Sequence, residues 1–524
     1  MSNRKSSLWF FVLLVGTIVL GVYLRPPMPY ELWEEQELVG ERPTAARSSP
    51  AGQRDLRGGG GVGVVDFDSD GLEDLLFTRA SPVAPAEDRH ESLRRESLVL
   101  FRNLGRRRFV DWTRQAGLLV DGSACGLGVG DFDGDGLADV FVCRAAGDRL
   151  FLNRGGRFEE AGSTWGLSSP GSVGAAVADF DRDGRLDVYA CGGRLAGSRG
   201  DALYLQSSPG RFSLVRPLGE FHGVAAAVLD ADGDRLPDLC VTSPDVGHRL
   251  LLGDGSGNFR AATAAIGALG SSLGPRMGRG VASGDLDGDG LEEVVVAGGP
   301  RFKNACYSRD RQGAYRDVGS WNGLSADTAE LSGWGVELLD VDNDGDLDVY
   351  VANGGHHGPE GLGQETGRER GLIYLNSGEG HFEEVGELFG QVLARPRNLR
   401  GVACADLDGD GLLDLVLGAL EGHPLVLWNR LHVRHWLRVR SPSPEWLGAR
   451  VELEATGGRQ VRWIRRTTGC FASGEAVAHF GLGEEKAPVA LRIHWPSGQV
   501  DSHSEVPVDR EYVAFEGRAT MSGR

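Results

Sequence analysis

Seven times along this chain, aspartates occupy every second position over five residues and a further acid stands at the ninth. The copies are DFDSDGLED (Asp66, Asp68, Asp70, Asp74), DFDGDGLAD (Asp131, Asp133, Asp135, Asp139), DFDRDGRLD (Asp179, Asp181, Asp183, Asp187) and DADGDRLPD (Asp230, Asp232, Asp234, Asp238). DLDGDGLEE (Asp285, Asp287, Asp289, Glu293), DVDNDGDLD (Asp340, Asp342, Asp344, Asp348) and DLDGDGLLD (Asp406, Asp408, Asp410, Asp414) complete the set. Their first aspartates are 65, 48, 51, 55, 55 and 66 residues apart. A repeat of this period confines the chain to architectures in which each unit buries its apolar face only against neighbouring units.

Other features repeat in phase with the acids. A glycine stands five residues before the first aspartate in six copies (Gly61, Gly126, Gly174, Gly280, Gly335, Gly401), with Ala225 in the fourth. An apolar run follows each motif, as in DVFV, DVYA and DLCV, and then a hairpin-like segment such as LFLNRGGRFEEAG. Each unit therefore reads as strand, acidic loop, strand, strand, turn, strand. Four strands in roughly fifty residues is the content of a propeller blade. The expected fold is all-β: a seven-bladed β-propeller, which by closing removes exposed sheet edges.

A β-turn needs one aspartate; four acids in fixed places need a further reason. Calcium takes six to eight oxygen ligands from carboxylates, carbonyls and water. Positions one, three, five and nine supply side chains, position seven a carbonyl, and the glycine lets the backbone bend around the ion. An EF-hand would need glutamate at position twelve; here that position is Phe77, Val142 and Ala190 in the first three copies. The expectation is up to seven Ca²⁺, one per blade. The charge agrees. The chain carries -19, but the motif acids account for all of that excess over its 55 basic residues. The acidity belongs to internal ion sites and excludes a nucleic-acid backbone as partner.

Little else points to chemistry. No G-x-S-x-G or H-E-x-x-H occurs. Gly58, Gly60 and Gly63 match a dinucleotide spacing, but an acidic loop follows where a helix would be needed. His356-His357 read as a loop pair. The seven cysteines form no C-x-x-C pair, and those in apolar runs read as buried thiols.

Residues 8–24 (LWFFVLLVGTIVLGVYL) carry no charge and follow Arg4 and Lys5. This predicts a signal anchor, residues 1–25, that places the remaining domains outside the cytoplasm, periplasmic or at the cell surface; secretion after cleavage is the alternative. Residues 26–58 read as a tether and 59–430 as the propeller.

With these motifs the chain resembles the FG-GAP/VCBS propellers, which include integrin α-subunit heads. In that family calcium sits in the loop joining the first two strands of a blade. After Asn429 come NRLHVRHWLRVR, LGARVELEATGGRQVRWIRRTTGC, HFGLG (479–483) and WPSG (495–498). These resemble the ASPIC/UnbV domain of the cartilage acidic protein family. That domain is expected over 431–518 as a small β-sandwich, with 519–524 as a tail. Where typical members carry a tyrosine or leucine region before a serine, this chain has Cys470-Phe471-Ala472-Ser473.

The expected function is a calcium-rigidified, extracytoplasmic adhesion or ligand-binding scaffold for a protein or glycan, with the membrane as a second partner through the anchor and no catalytic residues. A polysaccharide lyase or hydrolase, and an assembly or maturation factor acting through the C-terminal domain, are the alternatives. Insertions at 81–97 and 354–371, in blades 1 and 6, mark the expected binding surface. The junction LVLWNRLHVRHWLRV lacks flexible residues, which predicts a docked C-terminal domain. Arg235 and Pro237 make site four the weakest expected ion site, and Glu293 makes site five intermediate.

Overall fold

The computed structural model describes residues 32–38, 59–79, 97–167, 171–193, 200–215, 221–244, 247–262, 278–310, 313–326, 328–355, 367–387, 389–420, 423–432, 434–442, 446–518 and 521–523. The expected anchor, His356-His357 and most of both insertions lie outside these residues. No described helix is long and apolar enough to cross a membrane.

Each acidic motif joins two antiparallel strands. Blade 1 is built from Val62–Val65, Asp74–Thr78, Leu98–Asn103 and Phe109–Asp111, and blade 2 from Leu127–Gly130, Asp139–Val142, Arg149–Asn153 and Phe158–Glu160. Blades 3 to 6 repeat this order, starting at Gly174, Ala225, Gly278 and Gly333. The innermost strand of each blade contacts that of the next, and Leu399–Ala405 of blade 7 contacts Val62–Val65 of blade 1, so the ring closes. The second strands read as continuous apolar runs because both of their faces are covered by neighbouring blades: Asp139–Val142 and Asp187–Cys191 are buried throughout.

The repeating glycine is explained by the ring's inner packing. A Cβ on Gly126 would strike the carbonyl of Val173, one on Gly174 that of Val224, and one on Gly335 that of Arg400. The backbone of each following blade approaches where the side chain would be. Gly126 N–H donates to Val173 O at 2.9 Å, and Gly401 N–H to Gly60 O at 2.7 Å.

Blade 7 has three strands of its own, Leu399–Ala405, Asp414–Ala419 and Leu425–Asn429. Its fourth is Trp33–Glu37, antiparallel to Leu425–Asn429 with Trp33 opposite Asn429. This corrects the reading of 26–58 as a tether throughout. WEEQE resembles a linker because it is an outermost strand, with Trp33 wholly buried and Glu34 and Glu37 exposed. Glu35 pairs with Arg397 at 2.6 Å and Arg395 at 2.7 Å, and Trp428 Nε1 donates to Gln36 Oε1 at 3.0 Å. The beginning of the chain therefore holds the end of the ring.

The C-terminal domain is a sandwich of two four-stranded sheets. One orders Val477–Gly483, His435–Arg440, Arg510–Val513 and Ser522–Gly523; the other Gly458–Trp463, Arg450–Ala455, Val489–His494 and Val500–Val506. Leu437, Trp446, Phe480, Ile493 and Trp495 fill its core. A short hairpin, Thr467–Thr468 with Ala472–Ser473, belongs to neither sheet. It enters the propeller channel and pairs in parallel with blade 1, Val62 opposite Ala472. Val129 N–H donates to Ser473 Oγ at 3.2 Å and Val177 N–H to Thr467 Oγ1 at 3.1 Å, so the hairpin also engages blades 2 and 3. The expected docking of this domain is met, through a plug the sequence did not announce. All seven cysteines are unpaired; six are buried and Cys404 is half-buried.

Candidate metal centres

The loops share one local geometry. The first aspartate folds the loop over itself by accepting its backbone N–H groups. Asp131 takes Gly134 at 2.8 Å, Asp135 at 3.1 Å and Gly136 at 2.8 Å. Asp66 takes Asp70 and Gly71, Asp179 takes Asp183 and Gly184, and Asp406 takes Gly409, Asp410 and Gly411. Asp230 takes Gly233, and Asp285 takes Gly290. The fifth position accepts the N–H of the seventh, as in Leu137 to Asp135 at 2.9 Å. Two residues per loop are left-handed. The sixth is expected, since it is glycine in six copies. The fourth is glycine in four copies, yet Ser69, Arg182 and Asn343 have φ of 59°, 59° and 56° there.

The ninth position ties the loop to the blade. Asp139 Oδ2 accepts Phe132 N–H at 2.8 Å and its Oδ1 accepts Asn153 N–H of the third strand at 2.7 Å. Asp74, Asp187, Asp238, Asp348 and Asp414 bridge in the same way, to Asn103, Gln206, Gly253, Asn376 and Asn429. Glu293 accepts Leu286 N–H at 2.9 Å. The asparagine then reaches the preceding blade. Asn153 Nδ2 donates to Phe67 O, Gln206 Nε2 to Phe132 O, Asn376 Nδ2 to Leu286 O, Asn429 Nδ2 to Val341 O and Asn103 Nδ2 to Leu407 O. These inter-blade latches were missed by the sequence reading. Their signal is the amide ending LFLN, LYLQ, IYLN and LVLWN.

Carboxylate oxygens converge in every described group. Ligand-capable oxygens of Asp66, Asp68 and Asp70 lie within 4.8 Å of one another, as do those of Asp131, Asp133 and Asp139, of Asp179, Asp181 and Asp187, of Asp230, Asp232 and Asp234, and of Asp285, Asp287 and Asp289. In blades 2 and 3 the ninth residue is thus in reach of the first and third. Burial pushes the ninth carboxyl up to about 8 at Asp74, Asp139, Asp187 and Glu293 and to about 7 at Asp238, with the neighbouring carboxylates adding to the effect. Asp348 and Asp414 are held well above the usual range for the same reason.

The third position decides whether a cation fits. Oδ1 of Asp68, Asp181, Asp342 and Asp408 is buried and has no hydrogen-bond partner, as is Asp285 Oδ1 at a first position. A buried orphan carboxylate oxygen carries a desolvation penalty that a cation removes. Hard, all-oxygen donors in this number suit calcium. Positions one, three and five would hold it, and it would supply countercharge. Arginines face the same acids from outside. Arg102 Nε lies 2.6 Å from Asp68, Arg154 2.5 Å from Asp133 and Arg107 2.6 Å from Asp408, while Arg434 reaches Asp342 at 3.1 Å. In loop four Arg235 adopts φ 67°, the left-handed turn that glycine makes elsewhere. Gly253 leaves that blade without the latch amide, and Gly257 N–H reaches Phe180 O at 3.2 Å instead.

The C-terminal domain sits on these loops. Gly481 N–H donates to Asp340 Oδ2 at 2.9 Å, His479 Nε2 lies 2.8 Å from Asn343 Oδ1, and Gly483 N–H donates to Asn343 O at 2.8 Å. Arg462 donates to Gly345 O at 3.0 Å. Arg438 pairs with Asp406 at 3.2 Å, Arg465 with Glu292, and Arg182 of loop three reaches Pro496 O at 3.2 Å. HFGLG and WPSG are therefore docking elements. A cavity of about 140 Å³, lined by Glu337, Cys404, Arg462, Arg465 and Glu475 among others, lies between this domain and blades 5 to 7. Burial, with Glu475 nearby, pushes Glu73 up to about 8 at the same interface.

The FG-GAP-like repeat model matches residues 66–142, 131–190, 230–296, 285–351 and 340–417, more than half of the chain and all seven motifs. The chain belongs to the FG-GAP-like repeat proteins. The ASPIC and UnbV model matches its residues 440–521. Among curated relatives, this FG-GAP-repeat chain is 30% identical over 238 residues to cartilage acidic protein 1 of Mus musculus, covering 43% of this chain and 35% of that protein. It is 29% identical over 238 residues to the Homo sapiens protein of the same name, covering 43% and 34%. Integrin alpha-11 of Homo sapiens is 26% identical over 196 residues, 33% of this chain and 15% of the relative. The chain thus spans about a third or less of the length of the curated relatives it matches. Among solved structures, a rhamnogalacturonan lyase of Bacillus licheniformis aligns with TM-score 0.39 and 14% identity over 77% of this chain and 76% of that one.

Proposed function

We propose that this protein is an extracytoplasmic ligand-binding scaffold whose propeller is held by calcium in its acidic loops. The observation that carries the reading is the orphaned third-position oxygen in four of the loops, Asp68, Asp181, Asp342 and Asp408, with carboxylates converging beside Asp68 and Asp181. Such loops are stable when filled, and extracellular modules with Kd of about 10⁻⁴–10⁻³ M stay filled outside the cell. The uncharged segment at 8–24 would tether the scaffold to a membrane with its domains outside. The cartilage acidic protein and integrin relatives support an adhesion-like role over a catalytic one.

The placement of the domains supports a binding face. The C-terminal sandwich covers acidic loops, and the described strand ends that flank the two long insertions, Thr78 and Leu98 in blade 1 and Asn353 and Leu372 in blade 6, are the ends away from those loops. Blade 7 stands between blades 1 and 6. A glycan and protein-ligand array probed with the purified ectodomain, in calcium and in chelator, tests the proposal. Calcium-dependent retention of one ligand class is expected. Retention of none, or turnover of a polysaccharide, would overturn the scaffold reading.

A further inference from the structure

One residue before each recurring glycine, the blades present Gly60, Cys125, Val173, Val224, Arg279, Trp334 and Arg400 to the channel. Cys125, Val173 and Val224 pack with Cys470 and Phe471 of the plug. Phe471 also packs on Trp334 of blade 6, ring centroids 6.1 Å apart, and the Trp334 ring lies between two guanidinium groups, Arg279 at 4.1 Å and Arg400 at 3.9 Å from its centroid. The strand Gly333–Leu339 runs towards its acidic loop, so Trp334, near its start, marks the end of the channel away from the calcium loops.

The two arginines are not equally satisfied. Arg400 donates to Asn398 Oδ1 at 2.6 Å, to Leu399 O at 2.8 Å and to Gly355 O at 3.2 Å. Arg279 is only 6% exposed, and its Nη1 has no hydrogen-bond partner. Among the described residues it makes no ion pair. The acids acting on it are Cys470 of the plug, whose thiol burial holds well above its ordinary range, and then Glu369, whose carboxylate accepts Ser332 N–H at 2.5 Å. Burial lowers the Arg279 guanidinium to about 10, so it is charged at neutral pH. A ring face stabilises a buried cation only partly, and an unpaired buried charge is costly. Trp334 holds the guanidinium plane in place through its own bond, Nε1 to Gly354 O at 2.8 Å, at the base of the blade 6 insertion.

We propose that this end of the channel is an oxyanion-binding site, with Arg279 as principal donor, Trp334 as its support and Arg400 as a second positive charge. The guanidinium fork matches carboxylate and sulfate oxygens. The inference rests on the ligand-binding reading above and adds a charge to the ligand: it presents a carboxylate or sulfate group towards Arg279.

The test titrates the intact chain, at constant millimolar calcium, with sodium sulfate or sodium glucuronate against sodium chloride of equal ionic strength. Melting temperature and calorimetric binding are both read. Saturable stabilisation and binding by at least one oxyanion are expected, and Arg279→Gln should weaken that binding about tenfold or more. Glu369→Gln removes the competing negative charge and should tighten it, by about threefold. Sulfate and glucuronate arms tell a tetrahedral from a planar preference. Equal responses to oxyanion and chloride, an unchanged affinity in Arg279→Gln, or no gain in Glu369→Gln would overturn the site. A positive result with no ligand on the array would leave this site standing and the scaffold reading without support.

Discussion

Loops two and six carry the same acidic pattern and meet different neighbours. In loop two Asp131 accepts only its own loop's N–H groups, Arg154 faces Asp133 and Asp135, and a Cβ on Gly134 or Gly136 would meet open space. In loop six Asp340 is 1% exposed and accepts Gly481 as well as Asp344 and Gly345. Asn343 holds His479 and Gly483, and its Nδ2 donates to Gly411 O of loop seven at 2.8 Å. One motif thus serves as a free-standing ion loop and as half of a domain interface. The difference lies in the fourth position, where a side-chain amide replaces glycine, and in the backbone of HFGLG laid across it.

The largest effect should come from removing the ion. Each site filled at ten times its Kd adds about 1.4 kcal/mol, so chelation should lower the melting temperature strongly and should expose the 462–473 segment to proteases as loop six loosens. An ectodomain that melts alike in chelator and in millimolar calcium would break both the structural role and the comparison. Next is Gly481→Ala. The added Cβ would overlap Asp340 Oδ2 and the Asn343 backbone, at a cost of about 3 kcal/mol, with the C-terminal domain released. Gly134→Ala in loop two meets no atom and should cost about 1 kcal/mol, from its left-handed φ alone. Equal losses measured by denaturant unfolding would show that loop six has no docking role.

A smaller difference separates ordinary loops from the irregular one. Asp133→Ala should cost about 1 kcal/mol more than Asp232→Ala, because Arg235 already forces loop four into a left-handed turn against its Cβ. Calcium titrations of the two variants check this; equal losses refute the ranking. The smallest effect concerns pH. Burial holds the His479 imidazole well below its ordinary value, so it is neutral when docked. The released state takes up the proton below about pH 6.5. Stability is present above that pH and lost as pH falls, by at most about 1.4 kcal/mol per pH unit. His479→Gln should flatten the dependence in hydrogen exchange of the plug; an unaltered slope would assign the acid sensitivity elsewhere.

Much of this was legible in the residues because it is local. The acidic loops, the strands after them, the slots of both insertions and the sandwich nature of the C-terminal domain are all periodic or patterned. Trp33–Glu37 was not legible, since an outer strand with one buried residue in five looks like a polar linker until its partner is known. The ninth aspartate was read only as an ion ligand, and its bond to the third strand depends on a residue fourteen or more positions away. Ser69, Arg182 and Asn343 showed no common chemistry, although their shared left-handed φ sets the turn.

The amino-acid sequence determined that there are seven units, where each bends around its acids, and that a sandwich follows them, because each of these rests on residues within one hairpin of each other. Tertiary structure alone decided that the first strand closes the last blade, that residues 467–473 enter the channel, and that Arg279 faces Trp334 with its Nη1 unbonded. Those contacts join segments tens to hundreds of residues apart, and no period or motif along the chain encodes which of them meet once the ring has closed.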